Sequence, residues 1–348
     1  MSEQESLIRR ESWADACRLI AMFGVILIHT AAPVFYDYRS ISLDAFLTAN
    51  AIDSLARVSV PLFAMLSGAL LLGRNAFIGI SGGGRIARVV LPLVFWSFVY
   101  AFWVDYWTGK PLDFFDALSH MGQAPIMYHL WFVYMIIGVY LILPVLRPIS
   151  SALIANKKLA IYFFILWFSI NSITIYYPIN LIQQLKLSGF LGWPGYFILG
   201  YYLTHSEWAL SISARLNILV FFLASLCTFF LSWHFNALSP SPIETAYEYF
   251  SPNVLIASCA AFLWIRQIKV HNSIVKPLEY FSGTVFPIYF MHLLIIEILK
   301  GGILGFSITP YSIHPVVGIL GLAAVTFFAS ISIAVLIRLI PHSSRIIG

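Results

Sequence analysis

An arginine and a histidine fall on one face of the first long apolar segment of this chain. Arg18 and His29 are eleven residues apart, and eleven helical residues at about 100° each complete three turns with roughly 20° to spare. A rise of about 1.5 Å per residue separates them by roughly 16 Å along the helix axis. Asp15, three residues before Arg18, can pair with it and fix its direction. A neutral imidazole in this position can serve as a general base, and a guanidinium can bind an anion.

Each of these residues also has an interpretation without chemistry. Arg18 can be a snorkelling arginine at the membrane boundary, and His29 a buried histidine bonded to a neighbouring carbonyl. Their shared face favours a continuous polar cavity instead, because ionisable groups inside a bilayer cost several kcal/mol unless they are paired or hydrated.

Two further arginines, Arg85 and Arg88, follow three consecutive glycines at residues 82–84. Their spacing puts both on one face of a predicted helix, close to an N-terminus whose free N–H groups and dipole favour anions. The glycines allow a ligand to approach the backbone closely. The pair therefore fits a phosphate or pyrophosphate at the cytoplasmic surface, although ordinary positive-inside topology would also place arginines there.

Other polar and aromatic residues lie near the opposite ends of apolar segments. Arg57 is either a partner for polar groups of an acceptor substrate or a counter-charge to Asp53, four residues earlier. His129 and Trp131 belong to an aromatic run at residues 128–132. This run fits either an interfacial aromatic belt or a stacking platform for a sugar.

The sequence supports no other type of site. His292 and Glu297 are ionisable residues within a late apolar segment, and we expect structural pairing for them rather than catalysis. The chain has no Walker-type phosphate loop, no Gly-x-Ser-x-Gly elbow and no Cys/His cluster with metal-ligand spacing. The chemistry predicted from the residues is therefore a single histidine base with cationic anchors, aromatic walls and no metal.

Composition identifies the elements that must position these residues. Of the 348 residues, 60% are hydrophobic and only 10% are charged, against roughly 45–50% and about 25% in soluble domains. The three cysteines are too few for a disulfide framework, and the charges do not form a nucleic-acid footprint. We therefore predict an all-α polytopic bundle of transmembrane helices.

Apolar runs of about 20 residues predict ten spanning helices in a single domain covering residues 1–348. The predicted spans are 17–36, 52–73, 86–106, 129–148, 159–178, 189–204, 214–234, 253–268, 282–300 and 316–340. The first is expected to be retained rather than cleaved as a signal peptide. Residues 1–16 and 341–348 are expected to form a cytoplasmic N-terminal segment and a cytoplasmic tail.

The distribution of lysine and arginine predicts the orientation. With a cytoplasmic N-terminus, fourteen of the 20 Lys and Arg residues fall in inside loops and helix ends, four fall outside, and Arg18 and Arg57 lie within helices. Cytoplasmic loops carry such an excess. Both termini are therefore predicted inside, and the loops at 107–128 and 235–252 outside.

Taken together and in order, these motifs resemble the acyltransferase-3 family of integral-membrane O-acyltransferases. Arg18 and His29 match the family's Arg-then-His pattern in the first helix, and Arg85 and Arg88 match its Arg-x-x-Arg opening of the third. The stretches 57–68, 129–132 and 288–292 are also similar. The likeness extends over nearly the whole length.

The resemblance implies an acyl-CoA donor, usually acetyl-CoA, and a hydroxyl acceptor on an envelope polysaccharide or its lipid-linked precursor. It implies a multi-pass protein of the bacterial inner membrane, in contact with membrane lipids. In this interpretation His29 is the base, Arg18, Arg85 and Arg88 bind the CoA phosphates, Asp15 and Arg57 support the site, and His129 and Trp131 bind the acceptor. A secondary transporter or translocator of lipid-linked sugars remains the alternative, because it too would carry intramembrane charges and a glycine-interrupted helix.

Overall fold

A computed structural model describes residues 3–73, 82–109, 114–177 and 192–348, and all regular secondary structure in these ranges is helical. The α-helices in this part of the chain are α1 (Glu3–Tyr36), α2 (Leu43–Ala56), α3 (Ser59–Leu71), α4 (Gly82–Thr108), α5 (Phe114–Gln123), α6 (Trp131–Ala155), α7 (Lys157–Tyr176), α8 (Trp193–His205), α9 (Glu207–Ser211), α10 (Ala214–Ala237), α11 (Pro252–Arg266), α12 (Asn272–Ser282), α13 (Val285–Lys300), α14 (Pro315–Ile337) and α15 (Ser343–Ile346). Short 3₁₀ turns precede α6 and α11, at Tyr128–Leu130 and Thr245–Tyr247.

The described helices include eight that are long and apolar enough to cross a membrane, or nine if the bent pair α12–α13 counts as one crossing. The protein is therefore a multi-pass helical bundle, as composition predicts. The predicted sixth span, 189–204, corresponds to α8, which has 13 residues where a crossing needs about 20. Residues 178–191 of this region lie outside the described ranges.

One predicted span contains a helix break and another begins at one, and a proline follows each break within one turn. The second crossing starts at Leu43, nine residues before the predicted start at 52, and it breaks at residues 57–58 between α2 and α3. Pro61 has no N–H to donate to the Arg57 carbonyl four residues earlier. The ninth predicted span, 282–300, corresponds to α13 and begins at a second break, at residues 283–284, where α12 and α13 meet with a bend of 60°. Pro287 stands in the same relation to the Gly283 carbonyl.

Helix α1, which carries Arg18 and His29, lies at the centre of the bundle. It packs against α2, α3, α11, α12, α13 and α14. Its inward positions Ala21, Met22 and Ile26 are fully buried. Because several helices surround it, side chains on one stripe of α1 face protein rather than lipid, which the cost of burying charge in lipid requires.

Side-chain contacts tie together the loops at the His29 end of α1. The Tyr311 hydroxyl donates to the Asp37 carboxylate, and His314 Nε2 lies 2.9 Å from the Asp44 carboxylate. Tyr38 donates to the Ser239 carbonyl. Partial burial and the adjacent Asp37 carboxylate raise the pKa of the Tyr311 phenol, so it remains protonated and able to donate.

Candidate functional site

Three histidines from distant parts of the sequence meet beside α1. The His29 ring centre is 5.2 Å from that of His292 on α13, and the His292 ring centre is 5.2 Å from that of His129. The Tyr100 and Tyr289 rings pack against His129 at 5.1 and 5.7 Å. The predicted base is therefore one of a cluster of imidazoles, rather than a lone histidine.

Within this histidine cluster, accessibility increases from His292 to His29. His292 is fully buried and His129 nearly so, at 3% exposure. His29 is only half-buried, and its Nδ1 lies 3.4 Å from the hydroxyl of Tyr128, whose side chain is 59% exposed. A substrate arriving past Tyr128 would therefore meet His29 before the other two histidines.

His292 makes the structural pairing that its position predicts, but with one nitrogen only. Its Nδ1 lies 2.6 Å from the Tyr289 carbonyl and 3.3 Å from that of Ile288. Its buried Nε2 has no hydrogen-bond partner among the described residues. Glu297, one turn and a half further along α13, pairs with Lys300 at 3.5 Å. Glu297 therefore takes the structural role that was expected for both residues.

A cavity of about 400 Å³ opens on the other side of this cluster. It is lined from α1, α3, α4, α6, α12 and α13, by Arg18, Phe63, Leu66, Ser67, Leu70, Leu71, Val89, Phe132, Val133, Ile136, Tyr140, Ser282, Gly283, Val285, Phe286 and Tyr289. Arg18 is the charged residue among those lining residues that the structure describes. Tyr289, another lining residue, lies one turn of α13 before His292, and the two ring centres are 5.9 Å apart. The cavity therefore extends from Arg18 to Tyr289, whose ring packs against His129 and His292, and none of the three histidines is among its described lining residues.

Arg18 is held by the neighbour that the spacing predicts. Its Nη1 donates to Asp15 Oδ1 at 2.5 Å, and the same carboxylate oxygen accepts a hydrogen bond from the Ser282 hydroxyl at 2.6 Å. The Arg18 side chain remains 35% exposed. Asp15, the partner of Arg18, bonds to Ser282 on α12, and His29 packs against His292 on α13, so both ends of this face of α1 lie against the same bent helix pair.

The second arginine pair is only partly visible. Both residues lie within the first two turns of α4, which begins at Gly82. Arg88 is exposed and directly precedes Val89, which lines the cavity. The Arg85 side chain lies outside the part of the chain that the structure describes. The start of α4 therefore flanks the cavity that contains Arg18.

Arg57 pairs with Asp53 as one of its two predicted roles requires. Arg57 Nη2 donates to Asp53 Oδ2 at 2.7 Å, and its guanidinium lies 4.3 Å from the centre of the Tyr247 ring. The Asp53 side chain is fully buried and that of Arg57 is 11% exposed. Breaking such a buried pair is costly, because it strands a charge. The pair holds α2 against the turn that precedes α11.

Trp131 belongs to a cluster of large aromatic rings beside the histidines. Its ring centre lies 5.3 Å from that of Trp193 on α8 and 6.1 Å from that of Tyr249. All three side chains are partly exposed. His129, the other predicted acceptor contact, is instead enclosed behind Tyr128 and Tyr289. The sequence did not single out Tyr289, because nothing local shows that α13 faces α1.

The Arg18 cavity lies on one side of Tyr289, and the exposed Tyr128 lies beside His29. An elongated molecule with an anionic end could enter from the Arg18 side, and a second molecule could enter from the Tyr128 side. Within the described ranges, no group of three or more His, Cys, Asp or Glu side chains is placed to hold a metal ion. The site therefore presents imidazole, guanidinium and aromatic groups to its substrates.

Comparison with known proteins identifies the family. The model of the acyltransferase-3 family, described as an acyltransferase domain, matches residues 11–335. No curated protein and no solved structure matches the chain. The matched region contains Arg18, His29, Arg57, Arg88 and His292. This chain thus belongs to the acyltransferase-3 family and is a multi-pass membrane O-acyltransferase.

Proposed function

We propose that this enzyme transfers an acetyl group from acetyl-CoA to a hydroxyl of an envelope polysaccharide or of its lipid-linked precursor, in the bacterial inner membrane. The observation that carries the proposal is the cavity that extends from Arg18 to Tyr289, the residue whose ring packs against His129 and His292. Family membership supports acyl transfer, and the geometry supports a donor with one anionic end and one reactive end.

Acetyl-CoA has the shape and charge that this cavity suits. Its 3′-phosphate and pyrophosphate need cations: Arg18 lines one end of the cavity and Arg88 precedes the lining residue Val89, and we propose that Arg85 joins them in binding the phosphates. Its pantetheine arm needs a narrow and mostly apolar passage, and apolar side chains make up most of the cavity lining. The thioester then reaches Tyr289 and the histidines above it.

The reaction needs one base beside the thioester. In our proposal His29 takes the proton from the acceptor hydroxyl as its oxygen attacks the thioester carbonyl. The new C–O bond forms, the C–S bond breaks, and the proton is passed to the departing CoA thiolate. A general base of this kind contributes about 10²–10⁴-fold. No covalent acyl-enzyme intermediate is required.

The acceptor is proposed to lie on the Tyr128 side of His29. Trp131, Trp193 and Tyr249 offer partly exposed aromatic faces, which suit the apolar faces of a sugar. From the short stretches 57–61 and 128–132 alone we propose a likeness to the enterobacterial common antigen O-acetyltransferase, which would make the acceptor a surface glycan. His129 would act here through packing behind Tyr128, and the Arg57–Asp53 pair would support the site by fixing α2.

Replacing His29 with Ala tests this function. Cells of the organism that encodes this protein, with the chromosomal gene deleted, would express the wild-type, His29→Ala or His234→Ala protein. Mass spectrometry would then measure the acetyl content of their envelope glycans. His234 is an exposed histidine on α10 and serves as the matched control. We expect loss of the acetyl increment by at least 100-fold for His29→Ala and no change for His234→Ala.

The experiment can contradict the proposal in two ways. Unchanged acetylation with normal levels of His29→Ala protein in the membrane would remove His29 from the mechanism. Glycans that lack the acetyl increment even with wild-type protein would remove the proposed acceptor class.

A further inference from the structure

We propose that His292 is a positioning residue for the base, holding the His29 ring through a hydrogen bond from His29 Nε2–H to His292 Nε2. This inference rests on the proposed role of His29. It gives a function to a buried side chain that the reaction scheme above leaves unused.

The backbone fixes the tautomer of His292. Carbonyl oxygens only accept hydrogen bonds, so the nitrogen that faces the Tyr289 carbonyl at 2.6 Å must carry a proton. A neutral imidazole with its proton on Nδ1 has a lone pair on Nε2. His292 Nε2 is buried and has no partner within the described residues. His292 Nε2 is therefore a hydrogen-bond acceptor without a donor, and leaving such a buried group unpaired is costly.

His29 and His129 both have ring centres 5.2 Å from that of His292, and we assign the donor to His29 because its half-buried ring has room to rotate, whereas His129 is enclosed. Two imidazoles joined by one N–H···N bond of about 2.9 Å have ring centres roughly 5 Å apart, and the observed separation is 5.2 Å. The two ring planes are tilted by 35°, and no hydrogen bond joins them in this structure. A rotation of the half-buried His29 ring would align them, and catalytic hydrogen bonds commonly tighten only when substrate binds.

The contacts of His29 give its two nitrogens different roles, with Nδ1 as the base and Nε2–H as the hydrogen-bond donor. Nδ1 is the atom that faces the Tyr128 hydroxyl, so it lies on the side from which the acceptor would arrive. If Nε2–H is donated to His292, Nδ1 keeps the lone pair that a base requires. The chain of bonds then runs from the Tyr289 carbonyl through His292 to His29 and the acceptor hydroxyl. A third group that orients the base is the general pattern of such sites.

Two substitutions of His292 test the hydrogen-bond acceptor at Nε2 separately from the rest of the side chain. His292→Asn keeps an N–H at the position of Nδ1, near the Tyr289 carbonyl, but has no acceptor at the position of Nε2. His292→Gln can place its amide oxygen at the position of Nε2. Inverted membrane vesicles from source cells expressing each variant would receive [¹⁴C]acetyl-CoA, and transfer to the endogenous acceptor would be followed as a function of acetyl-CoA concentration.

We expect kcat to fall 10–100-fold in His292→Asn, with KM for acetyl-CoA unchanged. In His292→Gln, at least half of this loss in kcat, on a logarithmic scale, should be restored. A merely structural role would instead reduce the amount of folded protein in both variants and leave kcat per folded molecule unchanged. Equal kcat values for Asn, Gln and wild-type protein would overturn the proposal.

A double variant separates this inference from the proposed function. If His29 and His292 act as a unit, His29→Ala/His292→Asn is no slower than His29→Ala alone. Full activity of His29→Ala would overturn the role of His29, whereas an inactive His29→Ala beside a fully active His292→Asn would overturn only this inference.

If neither His292 variant folds, ¹⁵N NMR of histidine-labelled wild-type protein in nanodiscs decides. Its expected result is a protonated Nδ1 and a bare Nε2 on His292, and the opposite tautomer would overturn the proposal.

Discussion

Arg18 faces two anions in the proposed mechanism, Asp15 within the protein and a phosphate of the donor. Asp15 is nearly buried and is shared with Ser282, whereas a third of the Arg18 side chain remains accessible. A guanidinium has five N–H donors, so it can keep one bond to Asp15 and offer others to a phosphate. Asp15 thus aims Arg18 into the cavity without consuming its binding capacity.

This arrangement predicts a defect in binding rather than in chemistry when Arg18 is replaced. In inverted vesicles supplied with [¹⁴C]acetyl-CoA, Arg18→Gln should raise KM for acetyl-CoA at least 10-fold and leave kcat within about threefold, since a contact distant from the reacting atoms binds ground and transition states alike. Arg18→Lys should have a KM for acetyl-CoA between those of the wild-type and Arg18→Gln proteins, because lysine keeps the positive charge but lacks the planar, bidentate guanidinium.

Arg215→Gln is a matched control for Arg18→Gln, because Arg215 is exposed at the start of α10, away from the cavity lining. It should leave both constants unchanged. A large fall in kcat with an unchanged KM in Arg18→Gln would show that Arg18 acts at the reacting centre and not at the phosphates.

The residues of the site differ in how readily the sequence predicts them. The pairs Asp15–Arg18 and Asp53–Arg57 form at spacings of three and four residues, and helical geometry alone predicts such neighbours. The contact between His29 and His292 depends on α13 packing against α1. No periodicity within either helix encodes that packing, so His292 was expected to have only a structural role.

At the level of the helices, the crossing of α3 and α8 depends on two glycines. A Cβ on Gly200 would lie 1.9 Å from the Met65 carbonyl oxygen, and one on Gly68 would lie 1.9 Å from the Phe197 carbonyl oxygen. Small residues allow helices in membranes to approach this closely. The α3 wall of the cavity, with Phe63 and Ser67, is held in place by this contact.

Gly200→Ala should therefore destabilise the protein, because the added methyl group meets backbone that cannot move aside. We expect a cost of about 1–3 kcal/mol, seen as a lower melting temperature of purified protein in detergent. Gly138→Ala on α6 is the matched control, since its Cβ would meet no atom within 4 Å. A Gly200→Ala variant as stable as Gly138→Ala would show that the two helices are not closely packed.

Prolines explain why helix boundaries were harder to predict than helix existence. The apolar run at 52–73 was predicted as one span, yet its helix breaks four residues before Pro61, and the helix that covers 282–300 is separated from α12 by a break four residues before Pro287. Pro33 and Pro92 have the same relation to the His29 and Arg88 carbonyls, but their helices α1 and α4 continue through the proline. A missing N–H permits a break, and the packing of neighbouring helices decides whether one occurs.

For the whole molecule, composition was enough to predict an all-helical membrane bundle, because lipid admits few ways to satisfy a backbone. Which end of the bundle faces the cytoplasm is predicted from the positions of lysine and arginine, and the proposed use of cytoplasmic acetyl-CoA depends on it. Ser282 on α12 bonds to Asp15, so α12 lies at the Arg18 end. Tyr311 bonds to Asp37 just after α1, so its loop lies at the other end.

Labelling of introduced cysteines can decide the orientation. Two exposed serines form a matched pair of labelling sites: Ser273, at the start of α12, and Ser312, beside Tyr311. Each would be replaced by cysteine in a protein whose own cysteines, Cys17, Cys227 and Cys259, are replaced by Ser. In intact spheroplasts, a membrane-impermeant maleimide should label Ser312→Cys fully and Ser273→Cys only after the membrane is permeabilised, because the Arg18 end is predicted to face inward. Equal labelling of Ser273→Cys in intact and permeabilised spheroplasts would place the Arg18 cavity outside the cell. A donor made in the cytoplasm could not enter from that side, so this single result would contradict the proposed path of acetyl-CoA while leaving the family membership intact.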